Sequence, residues 1–183
     1  MRMQQFLEGL RTYNFEKAVK LAIADNIVGG WEVWFQVELA MHLCATLVPP
    51  TQIIREMAYP DHAARCDFYV EYGGGRDPTY IELKCQIPQR PDPIGDALSR
   101  FESDIIKQRA YTSKVAGFCL LATCGQWTEN HLARLGSIVN DYKPAGAGAL
   151  IIMSDGQIYI GSNIEAVWPA LQEGCFSVIG ISP

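Results

Sequence analysis

The chain has 183 residues, of which 49 % are hydrophobic and 19 % are charged. This length and composition predict one globular domain spanning residues 1–183, with a core large enough to fold without disulfides or a structural metal. With 15 basic against 20 acidic residues, the net charge of −5 excludes a strongly basic nucleic-acid coat, although it leaves room for a local basic patch.

Neither a membrane span nor a secretory leader is expected. The sequence contains no run of 18 apolar residues, and its first 20 residues mix charges instead of forming an apolar signal segment. The six cysteines form no Cys-x-x-Cys pair, and most lie in apolar stretches, which is typical of buried, reduced thiols. We therefore expect a cytoplasmic protein without membrane partners.

The first half of the chain is predicted to change from helices to strands. Hydrophobic residues at helical spacing predict helices over 3–24 and 31–47, with Gly29-Gly30 between them. A short strand is predicted over 53–57. The segments 65–72 and 79–87 are predicted to form a β-hairpin around a glycine-rich turn.

The second half of the chain is predicted to alternate helices and strands. The helices are expected over 94–112, 129–140 and 164–172, and the strands over 115–123, 149–153, 157–161 and 176–181. The almost continuous apolar run over 115–123 is typical of a strand that is buried on both faces. The fold class is therefore predicted to be α/β, a single-domain layered sandwich with a mixed central sheet flanked by helices.

Charged residues in the predicted hairpin give the sequence its clearest chemical signal. Side chains two apart on a strand share a face, so Glu82, Lys84 and Gln86 project together while Leu83 faces the other way. The neighbouring strand can bring Asp67 beside Glu82. Adjacent carboxylates repel one another, and a divalent cation removes that repulsion. The pattern therefore predicts a Mg²⁺ or Mn²⁺ site at Asp67 and Glu82.

Two further side chains complete this candidate site. Glu38 lies in the predicted second helix among aromatic and aliphatic residues, where a carboxylate is out of place unless it reaches the metal. Lys84 is a positive charge beside the expected metal-bound water. It would orient or help to deprotonate that water, and it would stabilise negative charge on a phosphate.

The stretch from residue 31 to about 125 resembles the PD-(D/E)xK, or restriction-endonuclease-like, nuclease superfamily. The resemblance is carried by the helix with Glu38, the strand with Asp67 and the Ile-Glu-Leu-Lys segment at 81–84. It implies an αβββαβ core. It also implies a hydrolase that depends on Mg²⁺, with Mn²⁺ as the alternative metal. This hydrolase would cleave phosphodiester bonds in nucleic acid, and DNA is expected as the substrate in preference to RNA.

The resemblance also implies residue roles. Asp67, Glu82 and Glu38 become metal ligands, with Glu38 as the supporting acid from the helix, and Lys84 becomes the catalytic lysine. Gln86 matches a polar residue that some members carry two positions after the lysine. A literal Pro-Asp stands just before the hairpin at Pro60-Asp61, and Asp61 remains the alternative strand acid, but Asp67 is preferred because it lies in a β-rich run.

Partner predictions follow from charge. Between residues 84 and 114 there are six basic and four acidic residues, so a phosphate backbone would lie along this segment. Two rival hypotheses remain open. One is a catalytically silent binding, immunity or regulatory protein built on the nuclease fold, with a protein partner. The other is a metal-free structural domain in an oligomer, such as a homodimer, joined through the helix that carries Trp31 and Trp34.

Overall fold

The computed structural model describes most of the chain. The described residues are 9–10, 12–14, 31–46, 51–60, 62–73, 75, 77–111, 116–142, 149–153, 158–161, 164–174 and 176–182. The predicted helix over 3–24 lies outside these residues, apart from short pieces, and so does Asp61.

The described elements follow one another in the predicted order. The helices are α1 (Trp31–Thr46), α2 (Pro93–Tyr111), α3 (Glu129–Tyr142) and α4 (Trp168–Glu173), and a 3₁₀ turn (Ile164–Val167) precedes α4. The strands are β1 (Thr51–Ala58), β2 (Arg65–Tyr72), β3 (Thr79–Cys85), β4 (Ala116–Cys124), β5 (Ala149–Met153), β6 (Ile158–Gly161) and β7 (Phe176–Ile181). In the part of the chain covered by these elements, no helix has the length and apolar character needed to cross a membrane.

The strands form one mixed sheet in the order β1-β2-β3-β4-β7-β5-β6. Strands β3 and β4 are parallel, and every other neighbouring pair is antiparallel. Two parallel neighbours need a crossover connection, which helix α2 supplies. The mixed α/β sheet predicted from the sequence is therefore confirmed.

Two hydrophobic layers cover the sheet, α1 on one face and α2 with α3 on the other. Strand β4 contributes to both layers, because Leu120 packs on the α1 side and Leu121 on the side of α2 and α3. The predicted burial of this strand on both faces is confirmed. Strand β3 alternates in the same way, with Leu83 in the α1 layer, and this alternation directs Glu82 and Lys84 towards α2.

Strand β1 contains a distortion beside the candidate site. Arg55 pairs with Phe68 and Met57 pairs with Cys66, whereas the intervening Glu56 has φ of 55° and is missing from the ladder. A positive φ is costly for any residue with a Cβ. Glu56 therefore holds backbone strain opposite Asp67 of β2.

This strain predicts opposite effects for two matched substitutions. Glu56→Gly removes the Cβ at a positive φ, and we expect it to raise the free energy of unfolding by about 0.5 kcal/mol, after subtracting the entropy cost of glycine. Glu71→Gly, at an exposed position of β2 with ordinary strand geometry, should lower it by about 1 kcal/mol. Urea unfolding measures both, and equal losses would contradict the strain.

Candidate functional site

The site lies where strands β2 and β3 stop pairing. The ladder between them ends at Phe68 and Ile81. Beyond that pair, the Leu83 N–H donates to the Asp67 Oδ2 at 2.6 Å, so a side chain replaces the backbone carbonyl that regular pairing would offer. The Asp67 carboxylate is thereby fixed at the fork between the two strands.

Lys84 joins Asp67 to a carboxylate of helix α2. Its Nζ lies 3.0 Å from the Asp104 Oδ2 and 3.8 Å from the Asp67 Oδ2. These distances place the Asp67 carboxylate on the sheet face to which Lys84 projects. The convergence of the Asp67 and Glu82 carboxylates stays a prediction. Lys84 is largely buried, with 19 % of its side chain exposed.

Glu82 has two partners of its own. Its Oε1 lies 2.6 Å from the Lys107 Nζ and accepts a hydrogen bond of 2.6 Å from the Tyr59 hydroxyl. The residue is only 2 % exposed, so these two groups replace the water that an ionised carboxylate would otherwise bind. Tyr59 belongs to the turn at 59–62 that follows β1, and this turn therefore borders the site.

Asp104 connects the two halves of the site, because its second oxygen, Oδ1, lies 4.0 Å from the Lys107 Nζ. We call the five residues Asp67, Glu82, Lys84, Asp104 and Lys107 the charge cluster. It contains three carboxylates and two ammonium groups. Asp67 and Glu82 are thus linked through the lysines and Asp104.

Burial and neighbouring carboxylates raise the pKa of the two buried acids, Glu82 and Asp104. Desolvation, followed by the charge of Asp104, raises the pKa of Glu82 from 4.5 to about 7 against the opposing effects of Lys107 and Tyr59. Burial also raises the pKa of Asp104, although Lys84 opposes it. Burial alone would lower the pKa of Lys84, but Asp104 and Asp67 outweigh it and the net pKa is raised. Lys84 therefore stays positively charged at neutral pH.

The acid that helix α1 brings to strand β3 is Glu32. Its Oε2 accepts the Cys85 N–H at 3.0 Å and lies 3.4 Å from the Arg100 Nη1. Glu38 lies about 240° further around the helix, and it is placed beside Tyr13, whose pKa rises to about 12 through burial and then the charge of Glu38. The role of Glu38 as a metal ligand stays a prediction.

Gln86 supports the end of strand β3. Its side-chain amide donates to the carbonyl of Cys124 and accepts the Cys124 N–H at 2.9 Å. Its own carbonyl accepts the Trp31 Nε1–H at 2.9 Å. These bonds tie β3 to β4 and α1, so the geometry gives Gln86 a structural task, and a catalytic role for it stays a prediction.

Asp104 and Lys107 are site residues that sequence reasoning missed. The signal was present in α2, because Asp104 follows Phe101 by three residues and precedes Ile105 by one, which places it on the inward face of the helix. A carboxylate on such a face is the same anomaly that drew attention to Glu38. Lys107 lies three residues further on, within reach of the same face.

The carboxylate oxygens of the cluster are the type of ligand that a hard divalent cation binds. Mg²⁺ binds oxygen ligands, often only one or two carboxylates with water in its other positions, and Asp67 and Glu82 provide two carboxylates. Among the described residues, however, no three or more His, Cys, Asp or Glu side chains are grouped so that they could hold a metal ion. A cation held by Asp67 and Glu82 would compete with Lys84 and Lys107 for these carboxylates.

No family model, curated protein or solved structure matches the chain.

The buried Glu82 predicts an unusual dependence of stability on pH. In the unfolded chain Glu82 ionises near pH 4.5, and in the folded, metal-free protein near pH 7. Between these values the folded state binds more protons, so the stabilising contribution of Glu82 is full below about pH 4.5 and is lost as the pH rises to about 7. At 1.36 kcal/mol per pH unit, the loss is about 3 kcal/mol.

The test compares the wild type with Glu82→Gln, which cannot titrate, by urea unfolding in EDTA across this range. We expect the wild-type free energy of unfolding to fall by up to about 3 kcal/mol relative to the variant between pH 4.5 and 7. Glu71→Gln, an exposed acid on β2, is the control and should show a nearly constant difference. A constant difference for Glu82→Gln as well would contradict the raised pKa.

Proposed function

We propose that this chain is a Mg²⁺-dependent nuclease that hydrolyses phosphodiester bonds in nucleic acid, with DNA as the expected substrate in preference to RNA. The observation that carries the proposal is the convergence of Asp67, Lys84 and Asp104 at the fork between β2 and β3, with Lys84 Nζ 3.8 Å from the Asp67 carboxylate. This is an acid and a lysine from neighbouring strands meeting on one sheet face, as a PD-(D/E)xK site requires. Glu82 belongs to the same cluster through Lys107 and Asp104.

The order of elements supports the finer fold assignment. From α1 to β4 the described elements run α-β-β-β-α-β, which is the order of the restriction-endonuclease-like core. Asp67 lies on the second strand of this series, and Glu82 with Lys84 lies on the third. The proposed assignment thus rests on both the order of the elements and the positions of the acids within them.

In the proposed site, Asp67 and Glu82 hold the cation. A bound Mg²⁺ would lower the pKa of a coordinated water and neutralise charge on the phosphate. The protein's contribution is the fixed position of each acid, since Asp67 is held by the Leu83 N–H and Glu82 by the Tyr59 hydroxyl. A cation at these carboxylates also takes over the neutralising task that Lys107 has at Glu82.

Lys84 acts in this scheme as a permanent positive charge. Asp104 and Asp67 raise its pKa, so it is protonated at neutral pH and unsuited to accept a proton from water. Its ammonium group is suited to attract a phosphate and to stabilise the negative charge that develops during hydrolysis. Asp104 positions that ammonium group at the fork.

A catalytically silent binding or regulatory module is the second candidate. The observation that favours it is that both lysines of the cluster already neutralise carboxylates, Lys107 at 2.6 Å from Glu82 and Lys84 at 3.0 Å from Asp104. Buried pairs of this kind can fix a fold without any metal. Metal binding and cleavage separate the two candidates.

We expect Mg²⁺ and Mn²⁺ to raise the melting temperature of the wild type, because a ligand that binds only the folded state stabilises that state. At a free ligand concentration of a hundred times Kd, the free energy of unfolding rises by about 2.7 kcal/mol. Asp67→Asn should abolish the shift while it keeps an oxygen that accepts the Leu83 N–H. Glu71→Gln, four residues along the same strand, should respond as the wild type does. Equal shifts in all three proteins, or none in any, would contradict the metal site.

Cleavage of plasmid and single-stranded DNA with Mg²⁺ tests the catalytic proposal. Lys84→Ala should lower the rate by at least about 100-fold, which is typical for loss of one stabilising charge. Lys84→Ala also leaves the buried Asp104 without its partner at 3.0 Å. The double variant Lys84→Ala/Asp104→Asn therefore separates the effect of losing the Lys84 charge from the effect of losing stability. It should recover stability but not cleavage.

Arg134→Ala is the matched control for this assay. Arg134 is a cation of α3, outside the basic segment 84–114, and it pairs with Glu102 at 3.2 Å. It should cut as the wild type does. No cleavage by the wild type with either Mg²⁺ or Mn²⁺, on DNA or RNA, would reject the nuclease and leave the binding module.

A further inference from the structure

A row of aromatic rings leads from the charge cluster to the surface. The ring of Tyr59, whose hydroxyl bonds Glu82, lies 5.3 Å from the ring of Tyr111 between centroids. The Tyr111 ring in turn lies 4.1 Å from that of His62, at an interplanar angle of 37°. Only two rings therefore separate the buried Glu82 carboxylate from an exposed imidazole.

Exposure changes along this row. Tyr59 is 2 % exposed, whereas Tyr111 is half-buried and His62 is exposed. Tyr111 is the last residue of α2, and His62 lies in the turn after β1, so two separate elements present the outer rings together. We call Tyr111 and His62 the aromatic edge.

A cation lies beside the inner ring of this row. The Lys107 Nζ is 5.7 Å from the centroid of the buried Tyr59 ring and 3.1 Å from the carbonyl oxygen of Arg65. A cation at the inner end of a row of rings that reaches the surface suits single-stranded nucleic acid, because the cation attracts a phosphate and an exposed ring stacks on a base.

We propose that the aromatic edge is a stacking site for an unpaired nucleobase whose neighbouring phosphate lies at the charge cluster. The inference rests on the proposed nuclease function and narrows its substrate to single-stranded or frayed nucleic acid. A base in an intact duplex is stacked between its neighbours and cannot reach a ring on the protein surface. The large aromatic residues Trp31 and Trp127 are unsuited to this role, since each is 2 % exposed.

Affinity for short, end-labelled oligonucleotides tests the stacking site without requiring catalysis. Kd is measured by fluorescence anisotropy in EDTA and again with Ca²⁺, for single-stranded DNA, single-stranded RNA and duplex DNA. We expect Tyr111→Ala to weaken binding of the single strands roughly tenfold, since stacking on one aromatic ring contributes that order of affinity. Tyr111→Phe keeps the ring and should bind within about twofold of the wild type, and His62→Ala should lie between them.

Tyr142→Ala is the matched control. Tyr142 is also half-buried near the end of a helix, but it packs against Arg109 and donates a 3.4 Å hydrogen bond to Glu102 on the opposite side of α2. Its removal should leave every affinity unchanged. Duplex DNA should bind more weakly than the single strand and should not respond to Tyr111→Ala.

A scan with a single abasic position needs no variant and locates the stacked base. Removing the base at one position of the strand should weaken binding to the wild type. Removing the same base should not weaken binding to Tyr111→Ala any further. DNA and RNA strands that respond alike indicate recognition of the base, and a response of one alone would identify the true substrate. Equal affinity of wild type and Tyr111→Ala for every strand, or no abasic position that matters, would overturn the stacking site.

The same samples distinguish this inference from the proposed function. Cleavage of duplex DNA with Mg²⁺, without any dependence of single-strand affinity on Tyr111, would overturn the stacking site and retain the nuclease. Stacking that depends on Tyr111, without cleavage of any substrate, would retain the site and reject the nuclease.

Discussion

The burial of Glu82 beneath helix α2 is the constraint on which the candidate site depends. A carboxylate that is 2 % exposed is costly unless charged or hydrogen-bonding groups replace its water. The chain supplies Lys107 and Tyr59 to Glu82, while burial and then the negative charge of Asp104 raise the pKa of Glu82 to about 7. Lys84 then offsets Asp104. Lys107 thus neutralises Glu82 directly, and Lys84 also contacts the fifth member of the cluster, Asp67.

The backbone around the site departs from regular strand pairing. Strands β2 and β3 stop pairing where the Asp67 side chain takes the Leu83 N–H, and Glu56 holds a positive φ on the strand beyond. On the other side, Glu32 and Gln86 bond the end of β3 to its neighbours. Backbone strain and side-chain bonds that replace ladder bonds are typical of sites shaped for chemistry instead of maximal stability.

Much of the fold could be predicted from the sequence, because hydrophobic period and turn residues fix where elements begin and end. The apolar run of β4 indicated a central strand, and alternation in β3 placed Glu82 and Lys84 on one face. The partners of those residues could not be read in the same way. Asp104, Lys107 and Tyr59 reach the site through the crossover of α2 and the turn after β1, and such long-range contacts depend on how elements pack. Periodicity marked the apolar surroundings of Glu38 but not the direction in which an acid of α1 points, so it gave no sign that Glu32 would bond the end of β3.

We propose above all that the charge cluster binds a divalent cation, and that Lys84 and Lys107 neutralise its carboxylates when no cation is bound. Anomalous diffraction from crystals grown with Mn²⁺ tests it most directly. The account predicts one manganese peak within bonding distance of both Asp67 and Glu82, with the Lys107 ammonium moved away from its 2.6 Å contact with Glu82. A crystal saturated with Mn²⁺ that shows no peak there, with the Lys107–Glu82 and Lys84–Asp104 pairs intact, would contradict it and identify the cluster as a structural ion-pair network.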